Sequence, residues 1–168
     1  MITQLENLAE VIEDAIADDY PDVPVLVTAG QPAAPSSEGV DCQTVVYVWG
    51  QVVADLNQTN QDSCVVRSRW TMFYQIQTCY PENWDDQIAT TAASEAATRL
   101  YELMALVWCG LVEAKDAGLL CDNCKYVELA PLETQPRQGG AVSALGGVTI
   151  PYACPVPEVE SPASPASP

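Results

Sequence analysis

The stretch from Val65 to Cys79, VVRSRWTMFYQIQTC, decides the expected fold. Apolar and polar side chains alternate along it, as in a strand that buries one face. One face carries the apolar residues Val66, Trp70, Met72, Tyr74 and Ile76. The other carries the polar residues Arg67, Arg69, Thr71, Gln75 and Gln77. The pattern predicts a long strand with its apolar face in the core.

The segment before this strand is also β-type. Thr44 to Ala54 is rich in Val, Tyr and Trp, which favour strands. A polar, turn-forming stretch separates the two segments and consists of Asp55, Leu56, Asn57, Gln58, Thr59, Asn60, Gln61 and Asp62. Because such residues favour turns, we expect a long hairpin with an exposed polar tip.

Two amphipathic helices are predicted. Thr3 and Glu6 fit a capping box, and the first helix has an apolar stripe at Leu5, Leu8, Ile12 and Ile16. Pro21 and Pro24 end it. The second helix opens at Asp85 and Asp86, ends near Gly118, and buries Ile88, Ala92, Ala96, Leu100, Leu103, Val107, Leu111 and Ala114.

Three shorter strands complete the pattern. We expect them at Pro24–Thr28, Tyr126–Glu133 and Val148–Tyr152, with a glycine-rich connection between the last two and an exposed loop over Gly30–Gly39. The order α-β-β-β-α-β-β predicts an α+β fold, a mainly antiparallel sheet flanked by an N-terminal helix and one long helix.

The chain of 168 residues is expected to form one domain over residues 1–153. Residues 154–168 are a low-complexity Pro/Ala/Ser tail that cannot bury a core, so we expect it to be extended or disordered with polyproline character.

Charge and composition exclude several functions. Six basic residues against 23 acidic ones give a formal charge of −17 and a pI near 4.1. Such a charge repels DNA and RNA, so a protein that grips phosphates is excluded. Hydrophobic residues make up 48% of the chain and charged residues 17%, which is too apolar for a disordered acidic chain.

No signature of catalysis or metal binding is present. The chain has no histidine, which removes Ser-His-Asp, Cys-His and HExxH sites. Cys121 and Cys124 form a CxxC motif, but it follows a helix, whereas redox motifs precede one. Zinc would need two further ligands. The Gly139–Gly147 stretch lacks the lysine of a phosphate-binding loop. We expect no enzyme activity, no cofactor and no metal, with all seven cysteines reduced.

The N-terminus has acidic residues where a signal peptide would be basic, and no apolar run approaches the length of a membrane span. We therefore expect a soluble protein made in a reducing cytoplasm, without membrane contact.

Asp14, Asp18 and Asp19 lie at the predicted end of the first helix, where the dipole disfavours acids. Two interpretations are open. The three carboxylates belong to a solvated acidic face, or they line a channel through which DNA passes without sticking.

The sequence also resembles a family, the tail terminators in the neck of long-tailed actinobacterial phages. The resemblance covers residues 1–153. It rests on the first helix, on Asp41-Cys42-Gln43-Thr44-Val45, and on Arg69 to Cys79 followed by Tyr-Pro. The long Ala/Leu helix and the Gly-Gly segment that enters Gly147-Val-Thr-Ile-Pro complete it. The Pro/Ala/Ser tail and the Cys121/Cys124 pair depart from the family pattern.

The resemblance implies a structural virion protein, located at the head–tail neck and assembled in the bacterial cytoplasm. Its expected partners are further copies of itself in a hexameric ring, the major tail tube protein, and the head-to-tail connector or stopper. The ring would cap the tube and end its polymerisation while DNA passes through. We expect the tip at 55–62 to contact a neighbouring subunit or ring. A neighbouring connector ring and an acidic DNA-mimic inhibitor remain alternatives.

Overall fold

The computed structural model describes residues 2–32, 43–54, 65–79, 86–120, 127–138 and 141–155. Its elements follow the expected order and confirm the α+β fold. They are α1 (Ile2–Ile16), β1 (Val25–Val27), β2 (Val45–Ala54), β3 (Val65–Cys79), α2 (Asp86–Asp116), β4 (Glu128–Gln138) and β5 (Ala141–Pro155).

The five strands form one sheet in the order β1-β2-β3-β5-β4. β2 and β3 pair antiparallel over their length, from Val45 opposite Gln77 to Ala54 opposite Ser68, which confirms the long hairpin. β3 also pairs antiparallel with β5, and β4 with β5. β1 pairs parallel with β2, so the sheet is mixed. β3 is thus the central strand.

Both helices lie on the same face of this sheet. Thr78 of β3 donates a hydrogen bond to the Ala96 carbonyl oxygen in α2, and Leu5 of α1 lies against Gly50 of β2. The predicted stripe of α2 is buried from Ala96 to Ala114. The core between the layers includes Leu8, Ile12, Val46, Val48, Met72, Tyr74, Ile76, Leu103, Val107, Leu111 and Val148.

Gly118 ends α2 as expected. Its φ of 75° lies in the left-handed region that glycine adopts without strain. The Gly118 N–H donates to the Lys115 carbonyl at 3.1 Å, and the Leu119 N–H donates to the Ala114 carbonyl at 2.9 Å. This pair of bonds is a Schellman cap, which satisfies carbonyls left open at the helix end.

The last two strands are longer than their predicted bounds of 126–133 and 148–152. β4 starts at Glu128 and continues to Gln138, and β5 starts at Ala141. Gly146 and Gly147 therefore lie inside β5 and do not form the connection. Pairing with the long β3 extends β5 through residues whose local preference is for a turn.

Other predicted segments lie outside the described residues. These are the hairpin tip at 55–62, loop residues 33–39, the Cys121/Cys124 pair, and residues 156–168 of the tail. Cys154 and Pro155, predicted as the start of the tail, are the last residues of β5.

Candidate functional site

The outward face of α1 is acidic. Leu5, Leu8 and Ile12 bury the inner face. The exposed face carries Glu6, Glu10, Glu13 and Asp14. Glu6, Glu10 and Asp14 are four residues apart, so they follow one another along the same side of the helix.

Asp18 and Asp19 were predicted in the last turn of this helix, but α1 ends at Ile16. Both lie in the turn that follows, where the Tyr20 N–H still donates to the Ile16 carbonyl at 2.7 Å. Pro21 and Pro24 lack the N–H that a longer helix would need, which is why α1 stops early. Asp14, Asp18 and Asp19 are all exposed.

These acids belong to a region without basic residues. Residues 1–66 contain eleven acidic residues and no Lys or Arg, since Arg67 is the first basic residue of the chain. Within the described part of the chain, Glu6, Glu10, Asp14 and Asp18 form no ion pair. We call these four residues the acidic row. It presents uncompensated negative charge to whatever faces α1.

Tyr20, which follows the acidic row in the chain, contacts two side chains of α2. The Tyr20 hydroxyl donates a hydrogen bond to Oε2 of Glu102 in α2. The Arg99 guanidinium lies over the Tyr20 ring, 5.3 Å from its centroid, a cation–π contact. The hydrogen bond to Glu102, followed by burial, raises the pKa of Tyr20 above its ordinary value of 10.0. The cluster therefore joins the turn that carries Asp18 and Asp19 to α2.

The two helices also approach closely further along. A Cβ on Gly110 of α2 would overlap the Ala15 side chain of α1. Small residues at this crossing let the backbones pack side by side. Neither this contact nor the Tyr20 cluster is predicted by the sequence, because each joins residues far apart in the chain. Gly110, a glycine inside an otherwise helical pattern, is the local signal for the contact with Ala15.

The two edges of the sheet differ. β1 is short, and its Leu26 and Val27 side chains are each 45% exposed. β4 contains Pro131 and Pro136, and its pairing with β5 shifts register at both places. Since proline donates no hydrogen bond, β4 is protected against further strand pairing. β1 is the edge at which another strand could add.

Neither described helix combines the length and apolar character needed to span a bilayer. In the described ranges, no three cysteine or acidic side chains group as ligands for a metal ion. Cys109 is an exposed free thiol on α2. The acidic row and the β1 edge are thus the features of the described surface that point to partners.

The sequence matches no protein-family model and no curated protein.

Proposed function

We propose that this protein is a structural virion protein, a tail terminator that forms a ring, expected to be a hexamer, at the head–tail neck of a long-tailed phage. The ring caps the major tail tube protein, ends its polymerisation, and joins the tube to the head connector or stopper. The chain acts through surfaces and carries out no chemical reaction. The observation that carries this proposal is the acidic row together with the absence of basic residues from 1–66.

The acidic row supports a channel wall for DNA. Glu6, Glu10 and Asp14 on α1, with Asp18 in the turn that follows, repel phosphates, so a duplex passes without adhering. A ring repeats each carboxylate once per subunit, which multiplies the effect. Asp14 and Asp18 belong to the row, Asp19 follows Asp18 in the same turn, and all three predicted channel residues are exposed.

The β1 edge supports assembly. A ring needs two different surfaces on each subunit that fit each other, because its interfaces are heterologous. β1 and β4 lie at opposite ends of the sheet and differ in their protection, as a directional interface requires.

An acidic DNA-mimic inhibitor is the second candidate, since the same row could imitate a line of phosphates. The two candidates differ in subunit number. We expect the purified protein to have about six times the 18.0 kDa mass of one chain when measured by light scattering. A stable monomer that binds a basic protein would support the mimic instead.

Capping is tested with the tube protein of the same phage. We expect the ring to stop tube growth at a fixed end in an in vitro polymerisation followed by electron microscopy. Replacing residues 55–62 with a two-residue turn should leave the melting temperature nearly unchanged and abolish capping. Loss of folding would instead show that this segment belongs to the core.

The channel is tested by changing Asp14, Asp18 and Asp19 together to Asn. Virions with this change should eject DNA more slowly. Changing Glu95, Glu113 and Glu128 to Gln is the matched control, because these exposed acids give the same change in charge elsewhere. Normal ejection by the Asp variant would reject the channel and favour a solvated acidic face.

A further inference from the structure

The face of the sheet opposite both helices carries an aromatic and apolar patch. Trp49 and Phe73 are paired across β2 and β3, and their rings stack with centroids 5.6 Å apart and planes inclined by 23°. Leu26 and Tyr47 are paired on the neighbouring row, and that row continues through Gln75 to Leu145. We call Leu26, Tyr47, Trp49, Phe73 and Leu145 the aromatic face.

The side chains of the aromatic face differ in how much of each is exposed to solvent. Trp49 is only 6% exposed and forms its floor. Tyr47, Phe73 and Leu145 are half-buried, and Leu26 at the β1 edge is exposed. Gly147 lies beside Phe73, and a Cβ added there would meet the ring at 3.8 Å. The result is a shallow platform of ring faces.

The surroundings of this platform are polar, and they are acidic on the β4 side, where Glu133 pairs with Leu145 and Glu128 pairs with Thr149. The described side chains on the same face of the central strands include Gln51, Thr71, Gln75, Ser143 and Thr149. Thr71 and Thr149 share a hydrogen bond of 3.3 Å across β3 and β5.

Aromatic platforms of this kind are the surfaces on which polyproline segments dock. A proline-rich strand has few conformations to lose, and its rings pack flat on aromatic faces. Residues 156–168, VPEVESPASPASP, are such a segment and have four prolines. The chain therefore contains both a platform and a segment of the matching chemistry.

The segment also starts close enough to reach the platform. β5 ends at Pro155, opposite Val65, and the Phe73–Gly147 pair lies eight residues back along the same strand. That distance is about 26 Å at the rise of a strand. Thirteen residues in the polyproline conformation span about 40 Å, so the segment can turn back and cover the aromatic face.

From these observations we propose that residues 156–168 dock in polyproline conformation on the aromatic face of their own chain. The docked segment shields the apolar side of the sheet from solvent. The proposal is independent of the ring and of phage assembly, because it rests only on the sheet and on the segment that follows it.

The test compares the full chain with a chain that ends at Pro155. Removing the segment should shift tryptophan emission to longer wavelength, because Trp49 loses its cover. The Trp49→Phe variant should not show this difference, whereas Trp108→Phe, which changes a ring on α2, should retain it. Equal emission from the full and shortened chains would overturn the proposal.

A titration gives a second readout that does not depend on Trp49. A synthetic peptide of residues 156–168 should bind the shortened chain and restore its emission. It should bind the full chain at least about tenfold more weakly, since the attached segment is present at an effective concentration near millimolar. A peptide with its four prolines replaced by glycine should not bind, and equal binding by that peptide would contradict polyproline docking.

Two further comparisons complete the test. Tyr47→Ser should weaken peptide binding, whereas Tyr101→Ser, an exposed change on α2, should not. The emission difference between full and shortened chains should not depend on protein concentration. A difference that appears only at high concentration would overturn docking within one chain and assign the segment to a neighbouring copy.

Discussion

The ring of Tyr74 lies directly over Gly146 on the next strand, on the face of the sheet that packs against the helices. The two residues are paired across β3 and β5, and Tyr74 is fully buried. A Cβ on Gly146 would overlap the ring. Gly147, one residue on, lies beside Phe73 on the opposite face. Gly146 thus makes room for the Tyr74 ring, whereas a Cβ on Gly147 would fit beside Phe73.

Gly146→Ala should lower the free energy of unfolding by about 2 kcal/mol, because the buried ring has no space into which to move. Gly147→Ala is the matched control, since its Cβ would meet its neighbours at 3.6 Å or more, an ordinary contact. We expect the control to be neutral or to stabilise by up to about 1 kcal/mol. Chemical denaturation measures both, and equal effects would contradict the register of β3 against β5.

Tyr74→Phe should keep or raise stability. Burial raises the pKa of Tyr74 above its ordinary value, and its hydroxyl has no hydrogen-bond partner among the described residues. Removing an unsatisfied buried hydroxyl should stabilise the fold by up to about 1 kcal/mol. Tyr101→Phe, on the exposed face of α2, should change nothing. A clear loss of stability in Tyr74→Phe would show that the hydroxyl has a partner.

Gly110→Ala should destabilise the contact between the two helices by about 1–3 kcal/mol, because its Cβ overlaps that of Ala15. Adding Ala15→Gly should recover most of the loss, although glycine in a helix costs about 1 kcal/mol. A double-mutant cycle on denaturation midpoints measures this coupling. A Gly110→Ala variant more stable than the parent would mean that helix propensity outweighs the overlap.

Tyr20→Phe should cost about 1 kcal/mol at neutral pH, through loss of the hydrogen bond to Glu102. The aromatic ring at position 20 remains beneath Arg99, so the stability change reports the contribution of the hydroxyl alone. Because the folded state raises the pKa of Tyr20 above 10.0, its contribution is intact below pH 10 and disappears as pH rises through the folded-state pKa.

The measurement is the stability difference between parent and Tyr20→Phe across pH. It should be constant from pH 7 to 9 and shrink above pH 10. Tyr74 also has a raised pKa, so its ionisation at high pH destabilises the parent and the variant alike. The stability difference between the two proteins therefore reports on Tyr20. A difference that grows with pH would show that the hydrogen bond does not favour the neutral hydroxyl.

The sequence alone indicated the features that depend on local periodicity and composition. The alternation at Met72, Tyr74 and Ile76 identified the buried face of β3, because successive strand residues point to opposite sides. The stripes of both helices and the Gly118 cap were predicted for similar local reasons. Net charge and the missing histidine likewise required no structure.

Tertiary structure decided the features that depend on which distant segments meet. Tyr20 and Glu102 are 82 residues apart, so no local pattern links them. By local propensity Gly146 favours a turn, but it lies in a strand because β5 pairs with β3. The register of that pairing places Gly146 beneath Tyr74. Trp49 and Phe73 become one surface by the same pairing. Local preference is worth about 1 kcal/mol or less per residue, so burial and strand pairing override it wherever the two conflict.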